Sequence, residues 1–102
     1  MYVVCSTFRV APENADDIDT LYKMREHLVD TFEGFMGIDV FRNDADPTEF
    51  TLLARWADKP RYEVYRKSDA FTIAHKRMLD LARRVRIQAG SHSIKYFNHV
   101  AS

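Results

Sequence analysis

Phe35-Met36-Gly37-Ile38-Asp39-Val40-Phe41-Arg42-Asn43 and Glu49-Phe50-Thr51-Leu52-Leu53-Ala54-Arg55-Trp56-Ala57-Asp58 are two β-rich runs on either side of a turn cluster, Asn43-Asp44-Ala45-Asp46-Pro47. Asn and Asp side chains bond to nearby backbone and proline fixes one turn dihedral, so the runs are expected to pair as an antiparallel hairpin. What flanks this hairpin decides the fold.

Upstream, Tyr2, Val4, Ser6, Phe8 and Val10 share one face of an alternating run, and Val3, Cys5, Thr7 and Arg9 share the other, which predicts a strand. Asn14 is a candidate cap for a helix starting near Ala15, with Asp16 and Asp17 at its positive end. Ile18, Leu21, Tyr22, Arg25, Leu28, Val29 and Phe32 recur at helical spacing, and Gly34 is placed to end that helix. Downstream, Pro60 opens a short helix to about Lys67, and Ser68 caps a longer one from Asp69 to about Arg86. The stripe of this second helix is Phe71, Ala74, Met78, Leu81, Ala82 and Val85, with His75 beside Phe71 and Ala74. Ser91 to Val100 alternates again and predicts a closing strand.

The order β-α-β-β-α-β is that of an α+β, ferredoxin-like sheet covered on one face by helices, as a single domain over residues 1–102. Its other face also carries apolar residues, so a second copy stacked sheet to sheet, a homodimer, is expected.

The 102 residues carry fifteen Lys+Arg against fifteen Asp+Glu, so no net field gathers polyanions and nucleic acid is not expected as a partner. No apolar run is long enough to span a membrane, and the N-terminus lacks the features of a signal peptide, which makes a cytoplasmic location the expectation. The single cysteine, Cys5, cannot form an internal disulfide and reads as a small hydrophobe in a strand.

Phosphate loops, cysteine clusters, paired metal-binding histidines and nucleophile elbows are missing from the sequence, so the chemistry narrows to isolated side chains. Of His27, His75, His92 and His99, only His75 falls on an otherwise apolar helical stripe. On residue type alone it reads as a satisfied core or interface histidine. The alternative is a haem ligand, since one imidazole suffices for haem iron whereas zinc needs three or four protein ligands. Tyr65 and Ser6 are expected to face inward, either as ordinary packing residues or as polar groups of a site.

The segments Glu33-Gly34-Phe35-Met36-Gly37-Ile38-Asp39-Val40 and Tyr65-Arg66-Lys67-Ser68-Asp69-Ala70-Phe71-Thr72-Ile73-Ala74-His75-Lys76, with Trp56 between them, resemble the antibiotic biosynthesis monooxygenase superfamily. Within it, the chain is most similar to Isd-type haem-degrading monooxygenases. The resemblance implies a ferredoxin-like protomer pairing into a dimeric α+β barrel, and His75 as proximal ligand of the haem iron. It implies Phe71 and Tyr22 as cofactor-pocket residues and Arg25 as a propionate partner. Two positions depart from the pattern. The tryptophan that normally presses on the porphyrin is Tyr65 here, and the first-strand asparagine that normally donates toward the distal oxygen ligand aligns with Ser6.

The activity implied is oxygen-dependent opening of haem, which serves as cofactor and substrate, with iron release, dioxygen as co-reactant and electrons from an external donor such as a reductase. Two other readings share the fold. One is a cofactor-independent monooxygenase acting on a quinol or phenol, with Tyr65, His75 and Ser6 orienting a planar aromatic substrate. The other is a dimeric haem-binding protein without activity.

Overall fold

A computed structural model describes residues 1–23, 28–85 and 91–102. Strand β1 (Tyr2–Arg9) leads into helix α1 (Ala15–Lys23), the hairpin β2 (Phe35–Arg42) and β3 (Glu49–Trp56), helices α2 (Lys59–Arg66) and α3 (Asp69–Val85), and strand β4 (Ser93–Asn98). The strands form one antiparallel sheet in the order β2-β3-β1-β4. This is the expected α+β, ferredoxin-like topology.

Register assigns every strand residue to a face, because opposed residues point the same way. Tyr2, Val4, Ser6 and Phe8 oppose Trp56, Ala54, Leu52 and Phe50 on β3, and Tyr2, Val4 and Ser6 oppose Asn98, Tyr96 and Ile94 on β4. This is the helix side, carrying the alternation read in β1. Its apolar residues form two clusters. Phe8, Val10, Ala15, Ile18 and Phe50 are buried at one end with Tyr22 and Val40 against them. Tyr2, Ala54, Trp56 and Tyr62 are buried at the other, with Val29, Phe32, Phe35 and Tyr65 among their neighbours.

Between the clusters runs a row that the helices do not seal: Val40, Leu52 and Ser6 are half-buried and Ile94 is 43% exposed. Its neighbours in sequence on the same face, Phe8 and Phe50, are buried. Among the described residues, α3 packs chiefly on α1, α2 and the turn before β2 rather than on the strands.

The helix expected to run from Ala15 to Phe32 is shorter. It starts at Ala15, after a 3₁₀ turn over Pro12–Asn14, and is described to Lys23, while Leu28–Thr31 form a second 3₁₀ turn. Val29, Asp30 and Thr31 are poor helix formers, and Thr31 Oγ1 donates to the Leu28 carbonyl at 3.0 Å, which favours the tighter turn. Val29 and Phe32 still reach the core. The hairpin stands as read, and β4 is shorter than the expected Ser91–Val100 because its ladder to β1 ends at Thr7 and Ser93. Helix α2 begins at Lys59, one residue before the expected Pro60, because the Asp58 carboxylate accepts the Arg61 N–H at 2.9 Å and sets the start.

Gly34 carries a left-handed φ of +83°, and its carbonyl accepts the Ala57 N–H at 2.8 Å, joining the approach to β2 with the end of β3. An added Cβ would lie 2.2 Å from Arg61 Cδ. Gly34→Ala is therefore expected to lose about 1–2 kcal/mol in urea denaturation, through backbone strain and displacement of the Arg61 side chain.

Candidate functional site

An aromatic ladder leads from the buried end of β3 to the exposed start of α3. The Trp56 and Tyr65 rings stack with centroids 5.4 Å apart and planes at 26°. Tyr65 meets Phe71 edge-on at 5.4 Å and Phe32 edge-on at 5.0 Å, and Phe71 lies 4.5 Å from the His75 ring. Spacing makes this possible. Phe71 and His75 are four residues apart on α3 and so share a face, while Tyr65 lies in the last turn of α2.

Ser68 fixes the corner between the two helices. Its Oγ accepts the Phe71 N–H at 3.2 Å as the helix cap and donates to the Tyr65 carbonyl at 2.5 Å, tying the two aromatic residues through one hydroxyl. Ser68→Ala is expected to cost about 1 kcal/mol in thermal or urea unfolding, within the range for lost helix caps.

His75 departs from its residue-type reading as a satisfied core histidine. It is exposed, and its imidazole makes no hydrogen bond among the described residues, its ring contact with Phe71 aside. A ring held on one side and open at its nitrogens is suited to bind a ligand. No group of three His, Cys, Asp or Glu side chains among the described residues is arranged to hold a metal ion, so a site here would rest on the single imidazole.

The other expected site residues fall in different places. Tyr65 and Phe71 join His75. Tyr22 packs in the opposite cluster, 6.4 Å from the Phe8 ring, and lines a cleft of about 260 Å³ with Asp19, Lys23, Ile38, Asp39 and Val40. Burial pushes its phenol up to about 12, so it stays neutral at ordinary pH and cannot act as a base there. That cleft is on the β2 side of α1 and contains none of Ser6, Tyr65, Phe71 or His75. Ser6 sits in the uncovered row, facing the helix layer. Arg25, like His27, lies outside the described residues.

One partner was not evident from the sequence. Ser6 Oγ lies 2.8 Å from His92 Nε2. The β4 register explains this, since Ile94 opposes Ser6 and residue 92 is its diagonal neighbour on the same face. The sequence places His92 in the expected closing strand but gives no register to pair it with Ser6. Trp56 is visible beforehand as a strand residue and as part of the resemblance, but its stacking on Tyr65 is not.

The family model for antibiotic biosynthesis monooxygenases matches residues 1–77, from β1 through His75. Heme-degrading monooxygenases of Bacillus thuringiensis (strain Al Hakam), Bacillus cereus (strain Q1) and Bacillus anthracis (strain A0248) are each 33% identical to this chain over 78 residues, covering 74% of it and 71% of their own length. Among solved structures, an antibiotic biosynthesis monooxygenase of Deinococcus radiodurans superposes with a TM-score of 0.75 at 14% identity, over 100% of this chain and 95% of that one. A mutant of SnoaB, a cofactor-independent oxygenase of Streptomyces nogalater, gives 0.71 at 13% identity, over 99% and 94%. At such identities the superpositions establish the shared fold.

Proposed function

Because the chain belongs to the antibiotic biosynthesis monooxygenase family, we propose that it binds haem through His75 and degrades it in an oxygen-dependent ring opening that releases iron. The observation that carries the reading is the exposed His75 imidazole, which makes no hydrogen bond among the described residues and stands at the end of the aromatic ladder. The curated relatives named as heme-degrading support it.

The residues present fit a porphyrin. His75 would ligate the iron, Phe71 and Tyr65 would bear on the macrocycle, and the open row Val40, Leu52, Ser6 and Ile94 would face it from the sheet. When bound, haem supplies the iron that activates dioxygen and the ring that is opened, with electrons from an external donor. The protein's part is placement. Phe71, packed at 4.5 Å, limits rotation of the His75 ring. Trp56 and Phe32 hold the Tyr65 ring in place, so that ring would offer a fixed surface to the substrate. Ser6 is the polar group on the sheet side, able to donate one hydrogen bond toward an oxygen atom.

Titration of the purified protein with haemin is expected to give a saturable Soret shift. Ascorbate or a reductase under air is then expected to bleach that band, with anaerobiosis protecting it and catalase not. A parent protein that gives no shift overturns the reading and favours a quinol or phenol substrate. A saturable shift with a band stable for hours leaves haem binding without degradation.

A homodimer is part of the same proposal. The sheet face opposite the helices presents Val3, Cys5 and Leu53 at its centre, with Phe41 53% and Phe97 49% exposed at its sides. Around these lie the Thr7 to Thr51 hydroxyl bond of 3.2 Å and the Arg55 to Asp39 ion pair of 2.6 Å, which pair four polar side chains within one copy, while Lys95 lies on the same face opposite Cys5. A face of this kind can be covered by a second copy of itself. No helix among the described residues is long and apolar enough to cross a membrane.

A further inference from the structure

His92 lies beyond the span matched by the family model and has no role in the reading above. Its Nε2 nevertheless lies 2.8 Å from Ser6 Oγ, within hydrogen-bond distance. Its position is built rather than accidental. The β1 to β4 ladder ends with Thr7 opposite Ser93, yet Ser91 continues the alignment: its Oγ accepts the Arg9 N–H at 3.1 Å and donates to the Arg9 carbonyl at 3.4 Å. These two bonds take the place of a strand rung and hold residue 92 alongside β1. The same register puts His92 opposite Phe8, on the helix side of the sheet.

A serine hydroxyl has one proton and two lone pairs. Alone, Ser6 rotates freely and shares its proton with whatever acceptor is nearest. When His92 Nε2–H donates to Oγ, one lone pair is occupied and the Ser6 proton is left to point elsewhere. The open row over which Ser6 stands, between Leu52 and Ile94, is where it can point. Serine is shorter than the asparagine of the family pattern, and a second residue that fixes its hydroxyl offsets part of that lost reach by lowering the entropic cost of orientation.

We propose that His92 is a positioning residue that orients the Ser6 hydroxyl as hydrogen-bond donor to the outer atom of a small diatomic ligand held over the open row. The assignment rests on the haem reading, in which a ring held by His75 of α3 would be met by Ser6 from the helix-facing side of the sheet.

The test uses carbon monoxide as probe on the reduced, haem-loaded protein, with the C–O stretching frequency as readout. A donor at the oxygen lowers that frequency. The parent is expected to show a low value, and Ser6→Ala and His92→Ala are expected to raise it by the same amount. The double variant adds nothing further, because the two residues act as one unit. His92→Gln, whose amide can donate from a similar reach, is expected to recover part of the shift. His92 is exposed, so the two His92 substitutions leave the thermal midpoint nearly unchanged. Haem uptake with a His92→Ala frequency equal to the parent overturns the role of His92 alone. A shift in His92→Ala that persists at full size on top of Ser6→Ala shows that His92 acts without Ser6 and also overturns it. A parent that takes up no haem overturns both this assignment and the reading beneath it.

Discussion

His75→Ala is expected to bind haem about 100-fold more weakly than the parent, a loss of roughly 3 kcal/mol, and to show no saturable Soret shift at micromolar haemin. The size follows from the site having one metal-binding side chain: removing it leaves aromatic contact with the macrocycle and no bond to the iron. Folding is expected to be nearly unaffected, because His75 is exposed and makes no hydrogen bond among the described residues. Equal unfolding midpoints for the parent and variant, with the Soret shift lost, locate the defect in ligation. Free imidazole added to the variant is expected to restore part of the spectrum. A His75→Ala protein that titrates like the parent would remove His75 from the site.

Trp56→Ala is expected to cost about 3–5 kcal/mol, the range for deleting a large buried aromatic side chain. Trp56 is 1% exposed and touches Phe35 at 5.3 Å, Tyr62 at 5.8 Å and Tyr65 at 5.4 Å between ring centroids, so the cavity left behind opens under three rings together. A domain of this length has about 5–15 kcal/mol in all, so the variant is expected near the limit of folding at 37 °C. Urea denaturation followed by far-UV circular dichroism measures this, since the chain's one tryptophan is the residue removed. Trp56→Phe, which keeps a ring beneath Tyr65, is expected to recover most of the loss. If Trp56→Ala unfolds within 1 kcal/mol of the parent, the ladder is not supported in the way its geometry implies.

The fold was legible because its signals are local and agree with one another. The Asn43–Pro47 turn, the alternation of β1, the acidic start of α1 and the Ser68 cap each depend on residues close in sequence, and each stands in the structure. The first helix was overextended because periodicity also counts residues that reach the core from a 3₁₀ turn, as Val29 does, or from just after it, as Phe32 does. In the site, Phe71 and His75 were readable as an i, i+4 pair, and Tyr65 could be carried over from a motif. The Ser6 to His92 contact spans 86 residues and exists only through the β4 register, which no local pattern sets. Tyr22 was grouped with the site through the resemblance, which gives a residue's place in a motif but not its depth in the fold. The structure puts it beside Phe8, in the cluster at the other end of the sheet.

The two edges of the sheet, β2 and β4, are where a foreign strand would add. On β2 the ladder is interrupted between Phe35 and Gly37, where Met36 is the extra residue and Gly37 has φ +139°, and the strand carries Asp39 and Arg42. On β4 the edge is six residues long and includes Lys95. A bulge, charges and a short edge all resist strand addition, the step by which sheet proteins grow into fibres. Lateral growth is open-ended, whereas pairing through a face uses up that face and stops at two copies. A chain guarded at both edges in this way is turned from open-ended strand addition.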